Sequence, residues 1–167
     1  MMTLRDAIAG ALRGWAGLPA GFDEAALRLE IDAAWTEETR ERVAMSYRVL
    51  SGARGGEPER VEAWIRFGEE LVNSVEFRPP TGATDHAAVL ADLGEPELVR
   101  PSNLSEPGAM LSDHVHAPRG ITVTVAEPFE HSGGGDPYIA YAQLYAPTDT
   151  QGYVVRVGQP GYKLEPF

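Results

Sequence analysis

Two histidines at alternate positions are the residues of this chain whose spacing best suits metal chemistry. His114 and His116 lie in the segment DHVH. Alternate side chains on a strand project to the same face, so the two imidazoles can ligate one metal ion, with His131 or Asp136 as a third ligand. The other interpretation is that they are ordinary, half-exposed histidines of a strand.

The spacing of this pair resembles the His-x-His start of the cupin metal motif. In that motif a glutamate follows a few residues later, whereas residues 117–120 of this chain read APRG. The departure favours ordinary strand histidines over a metal site. We therefore predict no cofactor.

Four side chains on predicted strands form the best candidate for a binding surface. Alternation places Trp64 and Arg66 on one face of one strand, and Tyr141 and Tyr145 on one face of another. Under a helix these aromatic rings would be core residues. On an open sheet face they would form an aromatic and charged surface of the kind that anchors a partner.

Other catalytic motifs are absent from the sequence. There is no cysteine, which excludes disulfides, thiolate metal sites and cysteine nucleophiles. The three glycines at 133–135 lack the lysine of a phosphate-binding loop, and no Gly-x-Ser-x-Gly elbow occurs. Glu62 and Glu76 lie near predicted strands, but acid-base chemistry requires a spatial pairing that sequence spacing does not establish.

The charge of the chain restricts its partners. The formal net charge is −11, from 25 acidic and 14 basic side chains. Such a surface repels phosphate backbones and anionic lipids, so nucleic acid and membrane are disfavoured, and we expect a protein partner or a homodimer. No stretch approaches the ~20 apolar residues of a membrane span, and we expect a cytoplasmic protein.

Hydrophobic periodicity predicts an α+β fold, an antiparallel sheet of about six strands with helices packed on one face. Apolar residues at steps of three and four predict helices over residues 3–16 and 23–35, and Thr84 is the predicted N-cap of a third helix. Alternation predicts strands over residues 43–49, 61–67, 71–77, 114–117, 121–126 and 138–145.

The chain also contains an apparent internal repeat. Residues 47–81 end in FRPPT and residues 114–148, a segment of the same length, end in LYAPT. Both are followed by a short apolar segment and a similar stop, LGEP in one case and VGQP in the other. We expect one compact domain over residues 1–167, built from two pseudo-repeats with a boundary between residues 81 and 82.

Residues 81–96, from Thr81 to the Leu-Gly-Glu-Pro that ends at Pro96, carry a second family resemblance. The segment is similar to the helix and Leu-Gly-x-Pro signature of the small lipoproteins that assist outer-membrane assembly. The β-lactamase-inhibitor proteins have a similar fold, doubled in tandem. The resemblance implies a protein-binding scaffold, although this chain lacks the lipidated cysteine of the lipoproteins and the cysteines of the inhibitors.

The function that these observations favour is a non-catalytic protein-binding module. The alternative is a small metal-dependent enzyme or a small-molecule-binding protein that uses the strand of His114 and His116.

Overall fold

One antiparallel sheet of eight strands dominates the computed structural model, which describes residues 17–30, 33–42, 45–53, 60–78 and 86–157. The strands are β1 (Ala34–Arg42), β2 (Met45–Ala53), β3 (Arg60–Arg66), β4 (Val72–Phe77), β5 (Leu98–Pro101), β6 (Ala109–His116), β7 (Ile121–Pro128) and β8 (Tyr138–Leu144). The helices in the described ranges are α1 (Glu24–Glu30), α2 (His86–Leu93) and α3 (Thr150–Arg156). Short 3-10 turns occupy Ala117–Arg119 and Glu130–Ser132.

The strand order across the sheet is β1-β2-β3-β4-β8-β7-β6-β5. Strands β1 to β4 therefore form one meander that follows α1, and β5 to β8 form a second meander that follows α2. The two meanders meet where β4 pairs with β8, through residues 75–77 and 142–144. The predicted α+β class and the antiparallel sheet are confirmed, with eight strands in place of about six.

Residues directly opposite each other on paired strands share a face of the sheet, so the pairing register defines the two faces. We call one the core face. Its row across the eight strands is Trp35, Gly52, Val61, Phe77, Ala142, Val123, His114 and Val99.

We call the opposite side the polar face. Its row is Thr36, Ser51, Glu62, Glu76, Gln143, Thr122, Val115 and Leu98. The two rows differ in chemistry, because apolar residues dominate the first and polar residues occupy six positions of the second. This difference is the alternation expected of a sheet with one buried side.

Two helices contribute to the main hydrophobic core. Leu27 of α1, and Val89 and Leu93 of α2, belong to one buried cluster with core-face side chains such as Leu50 and Val75. Arg48 on the same face is 2.9 Å from Glu24 at the start of α1. The core therefore lies between the core face and the inner sides of α1 and α2.

The third helix contacts the polar face. Tyr153 and Val157 form a second buried cluster with Val115 and Tyr145, which lie on that side of the sheet. Asp149 is the N-cap of α3, and its carboxylate accepts a hydrogen bond of 2.6 Å from the backbone N–H of Gly152. A short loop after β8 thus carries the chain onto the polar face.

The prediction of a helix over residues 23–35 is wrong in its second half. Helix α1 ends at Glu30, and Ala34 begins β1, the edge strand of the sheet. Most residues of β1 are exposed on both sides, so the strand shows no apolar alternation that sequence reasoning can detect. Trp35 is held against Gly52, where an added Cβ would lie 2.8 Å from the indole ring.

Further differences concern β5 and the termini. Strand β5 begins within the segment that sequence patterning leaves without structure, because it is a four-residue edge strand rich in Pro and Arg. The predicted helix over residues 3–16 and the predicted cap Thr84 lie outside the described residues. In the described ranges, no helix has the length and apolar character required to cross a membrane.

Candidate functional site

Trp64 lies beneath two arginine side chains on the polar face. The Cζ atom of Arg42 is 3.3 Å from the centroid of the indole ring, and that of Arg40 is 5.5 Å away. Tyr47 packs edge-on against the same ring, with centroids 5.6 Å apart. Only 2% of Trp64 is exposed. The edge strand β1 therefore supplies the cations that cover the aromatic residue of β3.

Two glutamates complete this group. Arg42 donates hydrogen bonds of 3.0 and 3.3 Å to the carboxylate of Glu76, and Arg40 donates bonds of 2.9 and 3.1 Å to that of Glu62. Arg40 also pairs with Glu38, and Gln143 of β8 donates to Glu76 at 3.0 Å. Both arginine–glutamate pairs are forked, the geometry that fixes a guanidinium most firmly.

These contacts require the sheet to curl over its polar face. Glu76 shares its row with Thr36, whereas Arg42 lies six residues farther along β1 and three strands away. In a flat sheet the two Cα atoms would be about 24 Å apart, at ~3.3 Å per residue and ~4.8 Å per strand. The observed contact therefore reports a strong twist, which folds the end of the β1–β2 hairpin toward β4.

The glutamate partners hold the two guanidinium groups in place. The hydrogen bonds that Glu62 accepts raise the pKa of Arg40 above its ordinary value, against the opposing effect of burial. The side chains of Arg40 and Arg42 are 34% and 20% exposed, so the cations are held at the surface in a defined orientation.

Tyr141 belongs to a neighbouring group at the junction of the meanders. The Cζ atom of Arg78 is 4.6 Å from the centroid of the tyrosine ring, and its guanidinium also donates to the tyrosine hydroxyl. The same guanidinium is 3.0 Å from Glu106. Tyr141 is half-buried and the Arg78 side chain is 50% exposed. This second arginine–aromatic pair continues the array on Trp64 toward β8.

Tyr145 is buried under α3. Its hydroxyl donates to the carbonyl oxygen of Ile121 at 3.0 Å and lies 3.1 Å from the hydroxyl of Thr122. Its ring centroid is 5.2 Å from that of Tyr153. Burial raises the pKa of Tyr145 well above its ordinary value. Gly120 lies so close that a Cβ there would approach the Tyr145 carbonyl to 2.2 Å.

Arg66 links strand β3 to helix α3. Its Nη2 donates to the carbonyl oxygens of Val155 and Arg156 at 3.2 and 2.9 Å, at the C-terminal end of α3. A cation at this end of a helix satisfies carbonyls that have no partner within the helix and opposes the helix dipole. Arg66 therefore fastens α3 to β3.

Of the four predicted binding residues, the structure leaves only Arg66 and Tyr141 partly exposed. Trp64 and Tyr145 are buried, so neither ring is presented to a partner in this conformation. The physical reason differs between them, because arginine side chains cover Trp64 and a helix covers Tyr145.

Beneath α3 lies a buried polar network. Asp113 is 5% exposed and accepts a hydrogen bond of 2.7 Å from Thr124. Arg100 lies 3.5 Å from Asp113 and donates to the hydroxyl of Tyr153 at 3.0 Å. We call the polar-face residues of β1 to β4, together with Arg78 directly after β4, the charged half, and those of β5 to β8 with α3 above them the helix-covered half.

The three histidines of the predicted metal site do not come together. His116 ends β6 and is opposite Ile121 at the start of β7, whereas His131 follows the end of β7. The seven residue steps of β7 separate these ends by about 23 Å. The described residues contain no group of three or more His, Asp or Glu that could hold a metal ion.

Each histidine has its own environment. His116 is 2% exposed, burial lowers its pKa, and its Nε2 has no hydrogen-bond partner within the described ranges. His114 is half-buried, with its Nε2 3.2 Å from the hydroxyl of Ser112. His131 is exposed and stacks on Phe129 at 5.1 Å.

The functional candidates that sequence reasoning missed are Arg40, Arg42 and Arg78. The signal for the first pair is the alternation of Glu38, Arg40 and Arg42 in β1, which on a strand places all three side chains on one face. This signal could be used only after the segment was assigned as a strand.

Comparisons with protein-family models, with curated proteins and with solved structures find no match for this chain.

Proposed function

We propose that this protein is a non-catalytic protein-binding module that binds its partner through the charged half of the polar face. The observation that carries the proposal is the stacking of Arg42 on Trp64 with a forked bond to Glu76. Arginine and aromatic residues dominate the energetics of protein interfaces. Side chains that are already held in place lose little conformational entropy on binding.

The internal repeat supports the same interpretation. Phe77 and Leu144, which occupy equivalent positions in the two repeated segments, are 67 residues apart, and so are Glu76 and Gln143, which face each other across the junction of the meanders. We propose that the two meanders arose by duplication. The resemblance of residues 81–96 to the lipoproteins and to the β-lactamase-inhibitor fold likewise favours a binding scaffold.

Affinity capture from a native cell extract tests the proposal. We expect a partner that is retained by the wild-type protein and lost with both Arg42→Ala and Arg78→Ala. The matched control is Arg28→Ala, because Arg28 is an exposed arginine in an ion pair with Glu24 on α1, away from the polar face. Equal capture by all four proteins would contradict a binding site on the charged half.

A further inference from the structure

The two halves of the polar face differ in their height above the sheet. Helix α3 lies over the helix-covered half and reaches the charged half at Arg66, whereas the buried cluster of Tyr47, Val49 and Trp64 in the charged half contains no helical residue. An α-helix with its side chains is about 10 Å across. The polar face therefore consists of a ridge, formed by α3, beside a lower surface formed by β1 to β4.

The outer side of the ridge carries two adjacent apolar residues between Gln151 and Arg156. Val154 and Val155 are 42% and 56% exposed, while Tyr153 and Val157 of the same segment are buried against the sheet. Two adjacent exposed valines on a short helix leave apolar surface in water unless another molecule covers it. Because Arg66 holds the carbonyls of α3, this apolar surface has a fixed position relative to the charged half.

The lower surface is nearly neutral within an acidic protein. Among the side chains that the structure describes on or beside this face, Arg40, Arg42, Arg66 and Arg78 are matched in number by Glu38, Glu62, Glu76 and Glu106. The pairing register places one further basic residue, Arg60, on the same face. These eight side chains contribute no net charge, so the −11 of the chain arises elsewhere. Two copies of the chain meet less repulsion across this face than across an acidic surface, and its alternating signs complement themselves.

The size of the sheet sets an upper limit on the area of a dimer interface. Laid flat, each half would be four strands wide and about seven residues long, roughly 19 Å by 23 Å from the usual strand spacings. The two halves would then offer about 900 Å², before the curl of the charged half reduces it, against the ~800 Å² that each partner buries in a standard interface.

We propose that the polar face binds a second copy of this chain about a two-fold axis, with α3 of each copy lying over the charged half of the other. In such an arrangement the ridge of each molecule fills the lower surface of its partner. Val155 then packs against the stems of the arginines that cover Trp64. This inference rests on the proposed function, because it names the partner of the same face.

Sedimentation velocity over a concentration series tests the inference with the full chain. We expect a wild-type dimer and a dissociation constant at least ~100-fold higher for Val155→Arg, because the variant places a further cation against Arg40 and Arg42 in the interface. Val99→Arg is the control, since Val99 is 54% exposed on the opposite face and should leave the dimer intact. Circular dichroism establishes that both variants are folded.

Three outcomes would overturn the second copy as the partner: a wild-type monomer at every concentration, an unweakened Val155→Arg dimer, or a dimer broken by Val99→Arg. The proposed function fails separately. If the wild-type protein is a monomer but captures a foreign protein that Arg42→Ala loses, the charged half is a binding site for another partner and only the dimer is wrong.

Discussion

The two halves of the polar face shield their aromatic side chains from water in different ways. Both have aromatic side chains that must be removed from water, Trp64 in the charged half and Tyr145 in the helix-covered half. Arginines of the edge strand cover the first and a helix covers the second. The arginine side chains over Trp64 are charged and partly exposed to solvent. The helix over Tyr145 instead contributes Tyr153 and Val157 to a buried cluster.

The residues under α3 stabilise the fold, whereas the charged side chains of the other half are the ones suited to binding a partner. Residues under α3 have lost their contact with water, so removal of one of them costs packing or leaves a buried partner unsatisfied. The arginine and glutamate side chains of the charged half remain partly exposed, so removal of one of them should cost little stability. The charged half is therefore the region that is free to change its contacts when a partner binds.

The largest effect should follow the loss of Tyr145. We expect Tyr145→Ala to lower the free energy of unfolding by about 4 kcal/mol, because it leaves a cavity between the sheet and α3. Urea denaturation followed by circular dichroism measures the change. Tyr145→Phe keeps the ring and should lose only about 1 kcal/mol with the hydroxyl. A loss of less than half the expected value for the alanine variant would mean that α3 is not a structural cover.

Alkaline pH should weaken the helix-covered half. Burial raises the pKa of Tyr145 and of Tyr153 above the ordinary 10.0, so both are protonated in the folded protein when the unfolded chain has already lost those protons. Stability is therefore complete below about pH 10 and falls as the pH rises above it. Urea titrations between pH 8 and pH 11 measure the decline.

Phenylalanine variants assign the alkaline decline to its source. Tyr145→Phe and Tyr153→Phe should each reduce the decline, because each removes a buried hydroxyl whose pKa is raised. A decline as steep in both variants as in the wild-type protein would assign it to other groups.

Asp113→Ala should have a smaller effect than Tyr145→Ala. The substitution leaves Arg100 and the hydroxyl of Thr124 without their buried acceptor, and we expect a loss of about 3 kcal/mol. Because Asp113 and Arg100 are largely shielded from solvent, the loss should change little between about 0.05 M salt, where screening is weak, and about 0.5 M salt, where it is strong. A loss that disappears at high salt would place Asp113 among the solvated charges.

The smallest effect is expected for Arg42→Ala. The variant removes a forked bond to Glu76 and the cation over Trp64, for a total of about 1 kcal/mol, and added salt should reduce the difference from wild type. Urea denaturation at two salt concentrations measures it. A loss as large as that of Asp113→Ala would show that the charged half is as structural as the helix-covered half.

The sequence predicts the parts of this fold that have local signals. Val61, Ala63 and Ile65 alternate with polar neighbours, and the strand they predict is β3. The same reasoning failed at β1, because an edge strand exposed on both sides needs no apolar residue at alternate positions. Its polar residues TEETRER are equally compatible with the end of a helix.

The candidate site was less predictable than the fold. Sequence patterning placed Trp64 and Arg66 on one face, but it did not indicate which side chains lie above them. That depends on the twist which brings Arg42 across three strands to Glu76, a property of the whole sheet. The loop that sends α3 to the polar face is equally decisive for Tyr145, and it has no local signal beyond the N-cap Asp149.

The strand order, in which two meanders are joined only through β4 and β8, affects how the chain folds. Within each meander every pairing joins neighbouring strands, which close over short loops and form quickly. The β4–β8 pairing instead joins residues 75–77 to residues 142–144, across the whole second meander, and the entropy of closing that long loop opposes it. We therefore expect the two meanders to form first and their junction to close in the rate-limiting step. Substitutions at Val75 or Leu144 should then slow refolding more than those at the outer hairpins.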